Sequence, residues 1–146
     1  MRVIIEQPAE GAKEEIIIRL RKPDSRIAEL IRQINSAEEK LTAYYPDGSI
    51  SVLDPSEIYY IESVDSKVFA YGKSDVAELK QKLYELEERF AGTDLIRISK
   101  SMILDLSKVK RFAPSIGGRF EAVLTNGEKV IISRQYVPDV KKRLGL

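Results

Sequence analysis

The 146-residue chain contains no cysteine and no histidine. Without cysteine it has neither a disulfide framework nor a thiolate nucleophile, and without histidine it lacks the usual acid–base group at neutral pH and the commonest metal ligand. No apolar run approaches the 18 residues of a membrane-spanning helix, and the N-terminus does not read as a signal peptide. These absences exclude most hydrolase and zinc-site functions. They favour a cytoplasmic protein that is not an enzyme and needs no cofactor.

Positive charge is concentrated in the last third of the chain. Residues 1–45 are neutral and residues 46–96 carry −6, whereas residues 97–146 combine eleven Lys/Arg with four Asp/Glu, a net charge of +7. A basic, strand-rich segment without catalytic residues suggests a polyanionic partner, and nucleic acid is the commonest one. The alternative is that folding mixes the three segments into a neutral surface, because a sequence segment is not a face.

The first 42 residues predict a small β-β-α lead segment. Arg2–Glu6 and Glu15–Leu20 have the apolar, β-branched composition of strands. A helix is predicted to begin with Asp24 or Ser25 as its N-cap, after Pro23. The apolar face of this helix, spaced by three and four residues, consists of Ile27, Leu30, Ile31 and Ile34. The helix is expected to end near residue 35, and the lead segment near residue 42.

Residues 43–146 predict a second, mainly β domain. Short apolar runs alternate with turns, among which Asn126-Gly127 is the strongest hairpin signal because both residues tolerate positive φ. Asp65-Ser66 is a second predicted hairpin turn, and Gly117-Gly118 a third turn. Residues 75–90 are ambiguous, since their leucine spacing fits one helix while Val76–Lys80 also alternates like a strand.

Three cations stand where predicted strands end, namely Lys67, Lys100 and Arg134. Loops that project from a rigid sheet often carry binding residues, and Arg and Lys can donate to guanine edges or to phosphate. A single exposed lysine is more often only solvated, so the recurrence at three strand ends carries the hypothesis. Tyrosines could stack on bases, but packing on the sheet is favoured for Tyr44, Tyr45, Tyr59 and Tyr60.

Six segments of the second domain form an ordered pattern: Ile58–Ser63, Lys82–Phe90, Ile96–Ser101, Leu104-Asp105-Leu106 with Val109, Leu124–Val130, and Ile132–Tyr136. Together, over about two-thirds of the chain, they resemble the LytTR DNA-binding domain, the output module of many bacterial response regulators. The resemblance implies a mainly β fold (α+β overall), an elongated β-sheet domain with one short helix. It also implies that Val76–Lys80 is a strand and Leu83–Phe90 the helix.

The resemblance further implies how DNA is bound. In the family, loops at the sheet edge enter successive major grooves on one side of the duplex and bend it, typically at paired direct repeats in promoters. The implied base contacts lie near Ser66 and Lys67, at Lys100 and at Arg134, and hydroxyl and basic neighbours would hold phosphates. Arg97 either holds a phosphate or braces the loop. The full predicted DNA-binding set is Ser66, Lys67, Arg97, Ser99, Lys100, Ser101 and Arg134.

The sequence departs from the family in two respects. Asp105 stands where the family usually has Asn, and only the lead segment, rather than a phosphoacceptor receiver domain, precedes the module. The arrangement resembles stand-alone LytTR regulators, which are commonly restrained by a membrane protein encoded beside them. The expected partners are therefore double-stranded DNA, a second copy of the chain on DNA, and a membrane-bound regulatory protein. The rival hypothesis is a non-catalytic protein-interaction or ligand-sensing β module.

Overall fold

Antiparallel β-sheet dominates residues 41–132. The computed structural model describes residues 2–22, 24–38 and 40–146. Its ten strands are β1 Leu41–Tyr44, β2 Ile50–Leu53, β3 Tyr60–Val64, β4 Lys67–Tyr71, β5 Val76–Leu79, β6 Leu95–Ser99, β7 Met102–Asp105, β8 Val109–Pro114, β9 Phe120–Leu124 and β10 Lys129–Ile132. Its α-helices are α1 Ser25–Glu38, α2 Leu83–Arg89 and α3 Val137–Arg143. Strands in antiparallel sheets with a few short helices confirm the predicted fold class.

The strands divide into two sheets. The first seven form one sheet in the order β2-β1-β5-β4-β3-β7-β6, and the last three form another in the order β10-β9-β8. The β9–β10 hairpin turns at Asn126-Gly127 as predicted, where Gly127 has a φ of +90° and Glu128 N donates to Asn126 Oδ1 at 3.0 Å. β1 begins at Leu41, which is buried, so the sheet starts two residues before the predicted domain boundary.

Strand β7 separates two hydrophobic cores. Successive side chains of a strand point to opposite faces, and the neighbours Ile103 and Leu104 are both fully buried. Ile103 packs with Leu86 and Phe90 against α2. Leu104 packs on the other side with residues of β9, β10 and α3. The strands that lead to the predicted DNA-binding residues are therefore fixed from both faces.

The ambiguous stretch 75–90 contains a strand followed by a helix. β5 pairs with β4 over four residues, so the alternating pattern decides its first part. The helix begins only after Lys82, whose N–H donates to Glu85 Oε1 at 3.2 Å, in the first turn. Gly92, with a φ of +82°, follows the helix end. The strand and helix implied by the family resemblance are thus confirmed.

The lead segment differs from its prediction in one respect. Asp24 begins α1 as expected, because Arg26 N donates to Asp24 Oδ1 at 2.8 Å, and the helix extends one turn past the expected end. The strands predicted over Arg2–Glu6 and Glu15–Leu20 are wrong, since residues 2–22 contain no strand. Their β-branched side chains have the propensity, but a strand also needs a hydrogen-bonded neighbour, and none pairs with them here. Pro23 lies outside the described residues.

Large apolar side chains of the lead segment remain in contact with solvent. Only Ile27 of the predicted helical face is buried, while Leu30 and Ile31 are each more than 40% exposed. In residues 2–22 the exposed apolar side chains are Val3, Ile4, Ile5, Ile16, Ile17 and Leu20. Single exposed apolar residues are normal on a protein surface, but this segment exposes a concentrated group of them.

Candidate nucleic-acid interface

Two hairpin turns lie side by side at one end of the seven-stranded sheet. β3 and β7 are antiparallel neighbours, so the C-terminal end of β3 meets the N-terminal end of β7. The backbone confirms this contact, because Ser63 N donates to Ser101 O at 2.8 Å. The β3–β4 turn, which carries Ser66 and Lys67, is therefore adjacent to the β6–β7 turn, which carries Lys100.

The β3–β4 turn has an unusual backbone. Asp65 and Ser66 have φ values of +50° and +64°, and they are the only non-glycine residues with positive φ in the described chain. Positive φ at both central residues defines a type I′ turn, whose twist matches that of the flanking strands. Lys67 follows as the first residue of β4, opposite Val64, and it is exposed. A tight turn thus projects a serine and a lysine from a rigid strand pair.

The β6–β7 turn is held from below by Arg97. Its Nε donates to Ser99 O at 2.6 Å, and its Nη2 donates to Lys100 O. Its Nη1 bonds to Glu87 Oε2 at 2.7 Å on α2. Only 15% of the Arg97 side chain is exposed, whereas Lys100 is exposed. One guanidinium therefore ties the turn to α2 while the neighbouring ammonium points to solvent.

The third predicted site begins where β10 ends. Ser133 N donates to Ile98 O at 2.8 Å, which places this strand end beside β6. Arg134 is the next residue; it is exposed and opens a short 3₁₀ turn over Arg134–Tyr136. The β6–β7 turn has the β3–β4 turn on one side and the end of β10 on the other, so Lys100 lies between Lys67 and Arg134.

The structure brings all seven predicted residues to neighbouring ends of β3, β4, β6, β7 and β10. We call the exposed group Ser66, Lys67, Lys100, Ser101 and Arg134 the turn face. Ser99 lies beneath it, and its hydroxyl accepts from Ser101 N at 3.2 Å. Arg97 also lies beneath it, with its guanidinium engaged inside the chain. Sequence reasoning did not identify Glu87 as the partner of Arg97, because a surface-helix glutamate carries no local signal of such a contact.

Asp105 is a capping residue at the junction of the two sheets. Its Oδ1 accepts from Ser107 N at 2.9 Å and from Ser107 Oγ at 2.7 Å, and its Oδ2 pairs with Lys108 Nζ at 3.0 Å. Lys108 Nζ also donates to Ser56 O at 2.7 Å. An asparagine has the same acceptor oxygen for the Ser107 bonds, which explains how either residue can occupy this position.

Two of the four tyrosines considered for base stacking, Tyr59 and Tyr60, support the sheet as predicted. Tyr59 and Tyr60 pack against the core that contains Leu104, and the rings of Tyr60 and Tyr71 stack with centroids 4.5 Å apart. Burial raises the pKa of both hydroxyls of this stack above the ordinary range of tyrosine. Tyr60 begins β3, whereas the turn face lies beyond its other end. Base stacking on these rings is therefore not part of the candidate interface.

Comparison with known proteins defines the class of protein. The family model of the LytTr DNA-binding domain matches residues 48–145. The match runs from β2 to α3 and leaves out only β1 of the two sheets. The chain belongs to the LytTr DNA-binding domain family.

Individual relatives agree with this assignment. The sensory transduction protein LytT of Enterococcus faecalis is 29% identical over 97 residues, which are 66% of this chain but only 40% of that protein. An uncharacterized HTH-type transcriptional regulator of Staphylococcus aureus is 25% identical over 139 residues, which cover 94% of both chains. The solved structure of a LytTr DNA-binding domain from Bacillus cereus has 26% identity and a TM-score of 0.68, and the match covers 73% of this chain and 97% of that one. None of the helices described here is long and apolar enough to cross a membrane.

Proposed function

We propose that the chain is a transcriptional regulator of the bacterial cytoplasm that recognises specific double-stranded DNA sequences and performs no catalysis. The observation that carries this proposal is the turn face, where Lys67, Lys100 and Arg134 leave adjacent strand ends of a DNA-binding family domain. The names of the staphylococcal relatives, which cover nearly the whole chain, support the regulatory role.

The three cations would divide the recognition of the duplex. Arg134 can donate two parallel hydrogen bonds to O6 and N7 of a guanine in the major groove, and a lysine can donate to the same acceptors. Lys67 and Arg134 are the outer two of the three. As the family resemblance implies, they would enter successive major grooves while Lys100 contacts the duplex between them. Ser66 and Ser101 are suited to phosphate oxygens, which fix the register of the domain on DNA, while Ser99 holds Ser101 from beneath.

Arg97 would act on DNA only through the turn. Its three intrachain hydrogen bonds leave the guanidinium committed to Ser99, Lys100 and Glu87. A braced turn presents Lys100 with little loss of backbone entropy on binding, which is the advantage of pre-organisation. Of the two roles considered for Arg97, we therefore propose bracing rather than phosphate contact.

The lead segment would serve assembly. Its exposed apolar residues and its unpaired strand-forming segments support a role in contacting a second copy of the chain, which would place two turn faces on a pair of direct repeats. A membrane-bound regulatory protein that covers the same surface would then restrain the regulator by competing with that contact. If the segment packs only within its own chain, it has neither the assembly role nor the regulatory role.

The test is selection of duplex DNA by the full-length chain from a random pool, followed by salt-titrated binding to the selected site. We expect an enriched motif, and an affinity that falls with a log–log slope of about −0.9 for each phosphate contacted. Lys100→Ala and Arg134→Ala should weaken binding, whereas Lys129→Ala, at the opposite end of β10, should not. Failure to enrich any motif, or equal affinity for unrelated duplexes, would leave the protein-interaction or ligand-sensing alternative.

A further inference from the structure

The loop between β8 and β9 lies against the side chain of Arg134. A Cβ atom placed on Gly118 would stand 3.0 Å from Cδ and 3.1 Å from Cγ of Arg134. Carbon atoms in ordinary contact are about 3.5–4.0 Å apart, so the aliphatic stem of Arg134 occupies space that only a glycine leaves open. No hydrogen bond of this loop holds Arg134 in the described structure; the contact is one of shape.

The sheet brings these two residues together. Phe120 of β9 pairs with Ile132 of β10 in antiparallel register. The loop that precedes Phe120 and the turn that follows Ile132 must therefore leave the sheet side by side. The loop itself is closed by Ser115 N, which donates to Arg119 O at 2.8 Å. Gly118 thus lies on a fixed loop directly beneath the Arg134 stem.

Gly117 shares the backbone conformation of Gly118 but does not share its contact with Arg134. Gly117 and Gly118 have φ values of +74° and +77°, so any other residue at either position meets the same unfavourable backbone region. A Cβ on Gly117, however, would meet nothing within 4 Å. The two glycines are therefore alike in backbone and differ in their relation to Arg134.

From this difference we infer that Gly118 is a positioning residue for the Arg134 guanidinium. The inference rests on the proposed function, in which Arg134 contacts a base. The bare Cα of Gly118 supports the arginine stem in the direction that presents its guanidinium on the turn face. An added methyl group would push the stem aside rather than unfold the loop, because Arg134 is exposed and its side chain is flexible. Hydrogen bonds to a base edge require placement within about 0.5 Å, so this displacement reaches the contact.

The test compares Gly118→Ala with Gly117→Ala in the full-length chain, using the duplex that the wild-type protein selects. Both variants should lose a similar amount of thermal stability. Gly118→Ala should bind about tenfold more weakly than Gly117→Ala and show relaxed base preference at the positions that Arg134→Ala relaxes. In an Arg134→Ala background the two glycine variants should bind equally. Equal binding of the two single variants, or a difference that persists without Arg134, would refute the inference.

A second readout is independent of DNA. The Nε–Hε resonance of Arg134 in a ¹⁵N-labelled protein should move in Gly118→Ala and stay in place in Gly117→Ala. If the wild-type chain selects no duplex, the proposed function fails, and a resonance that moves only in Gly118→Ala still supports the contact. If the wild-type chain selects DNA but neither the resonance nor the binding separates the two variants, the proposed function stands and the positioning role is wrong.

Discussion

Replacing Arg97 by alanine should destabilise the protein and weaken DNA binding at the same time. The substitution removes two bonds to the backbone of the β6–β7 turn and one to Glu87. A hydrogen bond that involves a charged group contributes about 1.5–3 kcal/mol when buried. The acceptors here border on solvent and regain water once the guanidinium is gone. The contact with Glu87, whose side chain is 47% exposed, contributes less than about 1 kcal/mol.

The expected loss is therefore about 2 kcal/mol in the free energy of unfolding. For a chain of this length, 1 kcal/mol lowers Tm by about 3–4 °C, so Arg97→Ala should melt about 6–8 °C below the wild type. Arg97→Lys keeps the charge but lacks the planar fork, and it should lie closer to alanine than to wild type. Thermal melts followed by far-UV circular dichroism measure all three proteins.

Lys100→Ala is the matched control, because it removes the exposed cation and leaves the brace intact. It should melt within about 1 °C of the wild type, as exposed substitutions usually do, and should still lose affinity for the selected duplex. The reasoning is refuted if Arg97→Ala melts like the wild type, since three bonds from one partly buried guanidinium would then contribute nothing. It is equally refuted if the two variants share the same melt and the same loss of binding.

Three further changes test other parts of the site. Arg134→Ala should weaken binding to the selected duplex by about 1–3 kcal/mol and relax preference at one or two base positions, measured by titration against single-base variants of the site. Asp105→Ala should lower the free energy of unfolding by about 2–3 kcal/mol, whereas Asp105→Asn, which keeps the Ser107 cap, should stay within about 1 kcal/mol of wild type in urea denaturation. Deleting residues 1–39, which leaves β1 intact, should preserve folding and binding to one half-site but abolish cooperative binding to paired sites. If cooperativity is unchanged, the chain does not assemble through this segment. If the shortened protein is insoluble, we conclude that α1 is part of the core.

The sequence was most informative where short-range chemistry decides the structure. Asn126-Gly127 favours its hairpin through the positive φ of Gly127 and the side-chain acceptor of Asn126, and Asp24 begins its helix through a side-chain cap. The apolar runs of β3, β4, β6, β9 and β10 predicted strands that the sheets do contain. Residues 75–90 were ambiguous, because their leucine spacing fits one helix while Val76–Lys80 alternates like a strand. Only the pairing of β5 with β4 distinguishes the two. The strands predicted in the lead segment were wrong for the same physical reason. β-propensity favours an extended backbone, but it does not provide a neighbouring strand to pair with.

The candidate site was predictable as a set of strand ends but not as a surface. Lys67, Lys100 and Arg134 are distant in sequence, and nothing local reveals that they are neighbours. Their order on the turn face follows from the position of β7 beside β3 and of Ser133 beside Ile98, which are tertiary facts. The roles of Arg97 and Gly118 depend on contacts between side chains and backbone of different elements. These contacts distinguish residues that hold the turn face in place from residues that are exposed on it.

The distribution of charge along the chain and the distribution of charge on the molecule lead to different conclusions. Residues 97–146 carry the +7 excess, yet several of their cations make contacts within the chain: Arg97 with Glu87, Lys108 with Asp105, Lys129 with Glu121, Arg143 with Asp94, and Lys141 over the ring of Phe120. Lys67, by contrast, comes from the acidic segment and lies on the turn face because β3 and β4 carry it there. Removing a cation from the basic segment is therefore not equivalent to removing one from the interface. The contribution of each lysine or arginine to DNA binding should follow its place at a strand end rather than the net charge of its segment.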